Sequence, residues 1–182
     1  ESEEQVSVLS VSTNELKSIS VVMKDPDMPH PKVSRISTDN VSYDYVYEGD
    51  DKDPTASYST DKMSTYVSVL VSYSAKFVSE GVDLKEYGLD EPSYKVTIET
   101  VDGTSYTVNL GNRTPDGLSV YMNLDGSAQV YSVAYAKLSY AAYKSVDFLE
   151  SQILDLDYSN MDTVRFIRKT DGFDVTADVI YD

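Results

Sequence analysis

Cysteine and tryptophan are absent from this chain of 182 residues, and histidine occurs once, at His30. Without cysteine there is no disulfide framework, no thiolate metal site and no cysteine nucleophile. With one imidazole, a histidine-based triad and a multi-histidine zinc site are excluded too. Basic residues are scarce: 15 Lys and Arg face 31 Asp and Glu, a formal charge of -16. So acidic a chain repels nucleic acid and bare anionic membrane, and neither is expected as a partner. No run approaches the roughly eighteen apolar residues that a bilayer-spanning helix needs.

What is present is tyrosine, 16 against 4 phenylalanines, with Ser and Thr together making about a fifth of the chain. That composition suits surface-rich β structure. The charge is spread over both halves and reads as a solvating surface rather than a binding arm. The opening Glu1-Ser2-Glu3-Glu4-Gln5 is neither an initiator Met nor a signal peptide. It is expected either to follow a removed leader or lipid anchor, or to mark an arbitrary boundary.

Periodicity organises the rest. Val6, Val8 and Val11 open an extended stretch that Ser12-Thr13-Asn14-Glu15 turns into a short helical turn by a capping-box pattern. Strands are expected at Ile19–Met23, Val33–Ile36 and Val41–Tyr47. The three prolines of residues 25–31 and the acidic run 48–54 make loops. Met63, Tyr66, Val67, Leu70, Val71, Phe77 and Val78 fall at helical spacing, predicting one amphipathic helix over 61–79. Four alternating segments then follow between 94 and 133, turned at Asp102-Gly103, Thr114-Pro115-Asp116-Gly117 and Asp125-Gly126. A second helix is expected over 134–145, and a last hairpin from Val164 to Val179. The fold class is therefore α+β: an antiparallel meander backed by two helices, in a single domain over 1–182.

Leu9-Ser-Val11 through Val22 is echoed 145 residues later by Leu154-Asp-Leu156 through Ile167, with Ser12 and Asp157 at the same place. A degenerate repeat whose second copy starts near 155 would produce that echo; so would coincidence, because apolar matches are common.

Motifs for chemistry are few. Ser59-x-x-Lys62 matches one element of penicillin-binding enzymes, but their other elements are missing, and a helix start explains it. Tyr140-x-x-x-Lys144 has no glycine-rich dinucleotide loop before it and fits i,i+4 packing. Asp50, Asp51 and Asp53 form a weak Ca²⁺ candidate, as do Asp155, Asp157 and Asp162. Neither has the glycine and glutamate of an EF-hand loop, so no metal and no cofactor is expected. A hydrolytic carboxylate pair could hide among so many acids, though nothing marks one. Tyr43, Tyr45 and Tyr47 alternate and project from one strand face. Such a row either stacks on sugars and partners or packs under the first helix with its hydroxyls at the rim.

The middle of the chain carries a resemblance. Leu84-Lys-Glu-Tyr87-Gly88-Leu89-Asp90-Glu-Pro92 is followed by Asp102-Gly103, Leu110-Gly111-Asn112, Thr114-Pro115, Tyr121 and Val130-Tyr131-Ser-Val133. This order resembles the bacterial domain of unknown function family 4340, over about 60–154. The matching positions are structural: Gly88 and Gly111 as left-handed or tight-turn residues, Gly103 in a hairpin turn, Pro92 leading into a strand. The resemblance implies an extracytoplasmic, lipoprotein-like bacterial protein, with some relatives encoded beside ABC transporter components. It carries over no catalytic residues. A non-enzymatic module binding a protein or cell-envelope component is the expected function, with accessory service to an ABC transporter. A carbohydrate-binding module on the Tyr43, Tyr45, Tyr47 face is the alternative. Membrane attachment would come only through an N-terminal anchor that this sequence does not contain.

Overall fold

Wherever apolar residues alternate, the chain extends and pairs with a neighbour. The computed structural model describes residues 4–37, 42–151, 162–168, 170 and 172–178. Two compact units carry them, Glu1–Glu150 and Ser151–Asp182. In the first, β1 (Val6–Ser10), β2 (Leu16–Met23), β3 (Lys32–Ser37) and β4 (Tyr43–Tyr47) precede helix α1 (Thr60–Leu70). Then come β5 (Ser72–Glu80), β6 (Tyr94–Thr100), β7 (Ser105–Arg113), β8 (Ser119–Leu124), β9 (Gln129–Ala134) and the short α2 (Ala136–Ala141). A 3-10 turn at Ser145–Phe148 closes the unit. All nine strands join one sheet in the order β1-β5-β9-β8-β7-β6-β2-β3-β4, each pair antiparallel.

The sheet cannot be flat. Helix α1 packs against β4, at one edge, and also against β5, seven strands away. Laid flat, that separation would be about 34 Å at about 4.8 Å per strand. A helix of 11 residues is about 16 Å long and about 10–12 Å wide. The sheet therefore curls round α1. Met63, Tyr66, Val67 and Leu70 of the helix share one buried cluster with Val33, Tyr47, Tyr73, Val96, Ile98 and Val120 of the strands. Both free edges are blunted against further pairing. A bulge lies between Ser7 and Leu9 of β1, and in β4 the Asp44 carboxylate takes the Tyr45 N–H at 2.8 Å.

The helix expected over 61–79 ends at Leu70, and 72–80 is a strand. Donors from elsewhere capture the carbonyls that would have continued the helix: Val11 N–H takes the Val71 oxygen at 2.9 Å, and the Lys137 ammonium takes those of Val69 and Ser72. Beyond them Tyr73 and Ala75 alternate with Ser72 and Ser74 and are buried in the sheet, while Phe77 is 54% exposed. The second helix is likewise short, six residues instead of the expected twelve or so. Ser12 to Glu15 form a turn rather than a helical turn, with Asn14 N–H donating to Ser12 Oγ at 3.3 Å. Hairpin turns fall where expected, Gly103 having a positive φ of 90°.

In the second unit, β10 (Thr163–Arg168) and β11 (Phe173–Asp178) form an antiparallel hairpin, with Arg165 paired to Asp174. The second half of the sequence echo, from Leu154 to Met161 with Asp155 and Asp157, lies outside the described residues. So does Val179. The repeat stays an expectation.

Candidate functional site

The tyrosine row of β4 is core, which corrects the expectation of a free stacking face. Pairing of Val33 with Tyr47 and of Arg35 with Tyr45 sets the row on the sheet face that meets α1. Tyr47 is 0% and Tyr45 7% exposed. The Tyr47 ring stacks on Tyr58 at 5.1 Å and lies 5.0 Å from Phe148. Burial, then the neighbouring Tyr43, pushes the Tyr45 phenol up to about 12. Only Tyr43 is half-exposed, and the Arg35 guanidinium covers its ring at 4.3 Å.

Asp50, Asp51 and Asp53 do not converge on one point. Asp50 accepts from the His30 N–H at 2.7 Å and lies 3.2 Å from His30 Nδ1. Asp51 accepts from the Tyr47 hydroxyl and, at 2.9 Å, from the Ser145 N–H. Asp53 accepts from both the N–H and the hydroxyl of Thr55. Asp50 is spent on the proline loop, Asp51 on β4 and the 3-10 turn, and Asp53 on its own loop, and the Ca²⁺ candidate is corrected accordingly. Among the described residues no group of three or more metal-ligating side chains comes together.

Other carboxylates are pinned in the same way. Ser34 holds the Glu48 carboxyl below its usual range, with Lys32 adding to the effect. Lys17 and Ser18 do this for Glu99, Thr100 and Thr104 for Asp102, Thr114 and Leu118 for Asp116. Burial alone would raise Asp51, but donation from Tyr47 and Ser145 outweighs it and the carboxyl is lowered.

The residues that meet at a groove come from elsewhere. The first two turns of α1 supply Asp61, Lys62 and Thr65; the segment after α2 begins supplies Tyr140, Tyr143 and Asp147. They enclose about 300 Å³. Tyr143 is wedged between Phe148 (5.5 Å, edge-on) and Tyr66 (5.9 Å), and Tyr140 stacks on it at 4.8 Å with 23° between the rings. Burial first, then Tyr140, raises the Tyr143 phenol. Lys62 donates to the Leu149 carbonyl oxygen at 2.7 Å, Thr65 to that of Asp61 at 3.0 Å. Asp147 accepts from the Lys144 N–H at 2.8 Å. The Ser59-x-x-Lys62 and Tyr140-x-x-x-Lys144 matches thus lie beside this groove, with the Lys62 ammonium donating to the Leu149 carbonyl. The available signal was Tyr140 and Tyr143 at helical i,i+3 spacing on a segment too short to bury both.

A wider groove of about 430 Å³ runs past Val22, Lys24, Pro92 and Lys95. Among the described residues no aromatic ring lines it, and a 3.0 Å ion pair between Lys24 and Glu91 lies at it. The structural residues hold their places. Gly88 caps the 3-10 turn at Leu84–Tyr87 with φ of 67°. Buried Pro92 precedes β6, and the next carbonyl, of Ser93, accepts from Lys24 N–H at 2.9 Å. Gly111 is not a turn residue as expected. It sits within β7, where an added Cβ would lie 2.3 Å from the Tyr87 carbonyl oxygen.

A family model described as a domain of unknown function (DUF4340) matches residues 53–178. That span contains every residue lining the α1 groove and leaves out Tyr43, Tyr45 and Tyr47. No curated protein and no solved structure matches the chain.

Proposed function

The chain belongs to the DUF4340 family of domains of unknown function, and from that premise we propose that it is a non-catalytic, extracytoplasmic binding module. It takes a protein or cell-envelope component into the groove between α1 and the Tyr140–Asp147 segment. The observation that carries this reading is the stacked Tyr140–Tyr143 pair, anchored on Phe148 and half-exposed beside Asp61, Lys62 and Thr65. Anchored aromatic rings at a groove supply contact area at little entropic cost, as binding surfaces require.

The ionisation pattern supports binding over hydrolysis. Acid–base work by a carboxylate pair needs one carboxyl held up in its protonated form. Every carboxyl with a shifted ionisation among the described residues is pushed the other way: Glu48, Asp51, Asp53, Glu99, Asp102, Asp116 and Asp174. Extracytoplasmic placement and accessory service to an ABC transporter belong to the same proposal and rest on the family resemblance. Among the described residues no helix is long and apolar enough to cross a membrane.

Co-sedimentation of the full chain with envelope fractions from the bacterium that encodes it tests the reading. Saturable binding lost in Tyr140→Ala is the expected result. Binding that survives this substitution would remove the groove from the proposal.

A further inference from the structure

The polar groups of the α1 groove narrow what it can hold. We propose that it binds a pyranose ring of an uncharged glycan, with Tyr140 as the stacking platform; this rests on the reading of the groove as a binding site. Three observations lead there. First, the lining carries both signs, Asp61 and Asp147 beside the Lys62 ammonium, so neither ionic class is matched throughout, and the acidic chain as a whole disfavours an anion.

Second, the hydrogen-bonding inventory is mixed. An ammonium has three N–H donors, and Lys62 commits one to Leu149. Asp61 has no side-chain partner among the described residues, and Asp147 commits one oxygen to Lys144. Tyr140, Tyr143 and Thr65 add hydroxyls, the last with its proton already given to Asp61 and its lone pairs open. Donors, acceptors and amphoteric hydroxyls side by side match a ligand whose own groups both donate and accept. Sugar hydroxyls do so.

Third, the platform is preorganised. One face of the Tyr140 ring lies on Tyr143, which Phe148 and Tyr66 hold in turn, and the half-exposed Tyr140 lines the groove. The C–H face of a pyranose is the apolar surface that such a ring takes. A volume of about 300 Å³ is at the small end for ligand sites, which suits one or two sugar rings and not a peptide helix. With about twelve heavy atoms in a hexose, ordinary ligand efficiency gives a dissociation constant of about 1 mM per ring.

The test is an NMR titration of the full chain carrying ¹³C-labelled tyrosine rings, using three neutral probes: maltotriose, cellotriose and N,N′,N″-triacetylchitotriose. Saturable shifts of the Tyr140 and Tyr143 signals with at least one probe are expected. The affinity should change less than about twofold between low and roughly 0.5 M salt, because no ion pair forms. Tyr140→Ala, which removes a ring stacked on Tyr143, weakens binding at least about tenfold, the loss of one stacked ring. Thr65→Val, on the polar side, weakens it severalfold without touching the stack. Absence of saturable shifts with all three probes overturns the inference. So does equal binding by Tyr140→Ala, or salt-sensitive binding of trilysine or citrate at the same rings. If no glycan binds while Tyr140→Ala still abolishes envelope co-sedimentation, the ligand class is wrong and the groove stands. If that co-sedimentation is unaffected, the groove itself falls.

Discussion

At the scale of single residues, two positions separate close approach from charge. Gly111 has ordinary strand conformation, so its requirement is space. A Cβ there would sit 2.3 Å from the Tyr87 carbonyl oxygen and 3.0 Å from Gly88, both backbone that cannot rotate away. Gly111→Ala therefore costs about 1–3 kcal/mol through overpacking, read as a lower urea midpoint with unchanged slope. Asp51 is the charge case, tying the acidic loop to the 3-10 turn through Tyr47 and Ser145. Tyr47→Phe removes one bond to a charged acceptor and costs about 1.5–3 kcal/mol near neutral pH. The Asp51 carboxyl is lowered in the fold, so this contribution is present above the unfolded carboxyl pKa of about 4 and lost as pH falls through the folded value. The gap between wild type and Tyr47→Phe is expected to narrow from pH 6 to pH 3. A gap that widened on acidification would contradict the assignment.

At the scale of elements, the hairpins between residues 94 and 133 were legible because a glycine after an aspartate marks each turn locally, as at Asp102-Gly103 and Asp125-Gly126. The boundary between α1 and β5 was not. Leu70, Phe77 and Val78 satisfy helical spacing, and Tyr73, Ala75 and Phe77 satisfy strand spacing over the same stretch. The decision rests with β1, more than sixty residues earlier, whose Leu9 pairs with Tyr73 and whose neighbour Val11 takes the Val71 carbonyl. No local window contains that partner. The same limit hid the site: alternation put Tyr43, Tyr45 and Tyr47 on one face, but which face α1 covers is a matter of sheet curvature. Lys137 secures the boundary by donating to the Val69 and Ser72 carbonyls, over the Tyr73 ring at 4.9 Å. Lys137→Met leaves both carbonyls without that donor and is expected to cost about 1–3 kcal/mol. Exposed Ser74→Ala on the same strand should stay within about 0.5 kcal/mol. Thermal or urea unfolding of the two variants side by side checks the contrast.

For the whole molecule, curling one sheet round one helix explains which tyrosines are spent and which are available. Tyr47, Tyr66 and Tyr73 fill the interior at 0% exposure, with the Tyr66 and Tyr73 phenols pushed up by burial. Tyr140 is half-exposed at the margin of that interior, stacked on the half-exposed Tyr143. The charge of -16 surrounds this arrangement as a solvating shell, keeping the chain apart from polyanions while leaving a groove of mixed polarity. Tyrosine nitration read residue by residue, with and without envelope material from the source organism, tests the central claim most directly. In the free chain Tyr140 is expected to be modified while Tyr47, Tyr66 and Tyr73 are spared, and added envelope material protects Tyr140 without changing Tyr43. Modification of Tyr47 in the free folded chain, or protection at Tyr43 with Tyr140 still reactive, would contradict it.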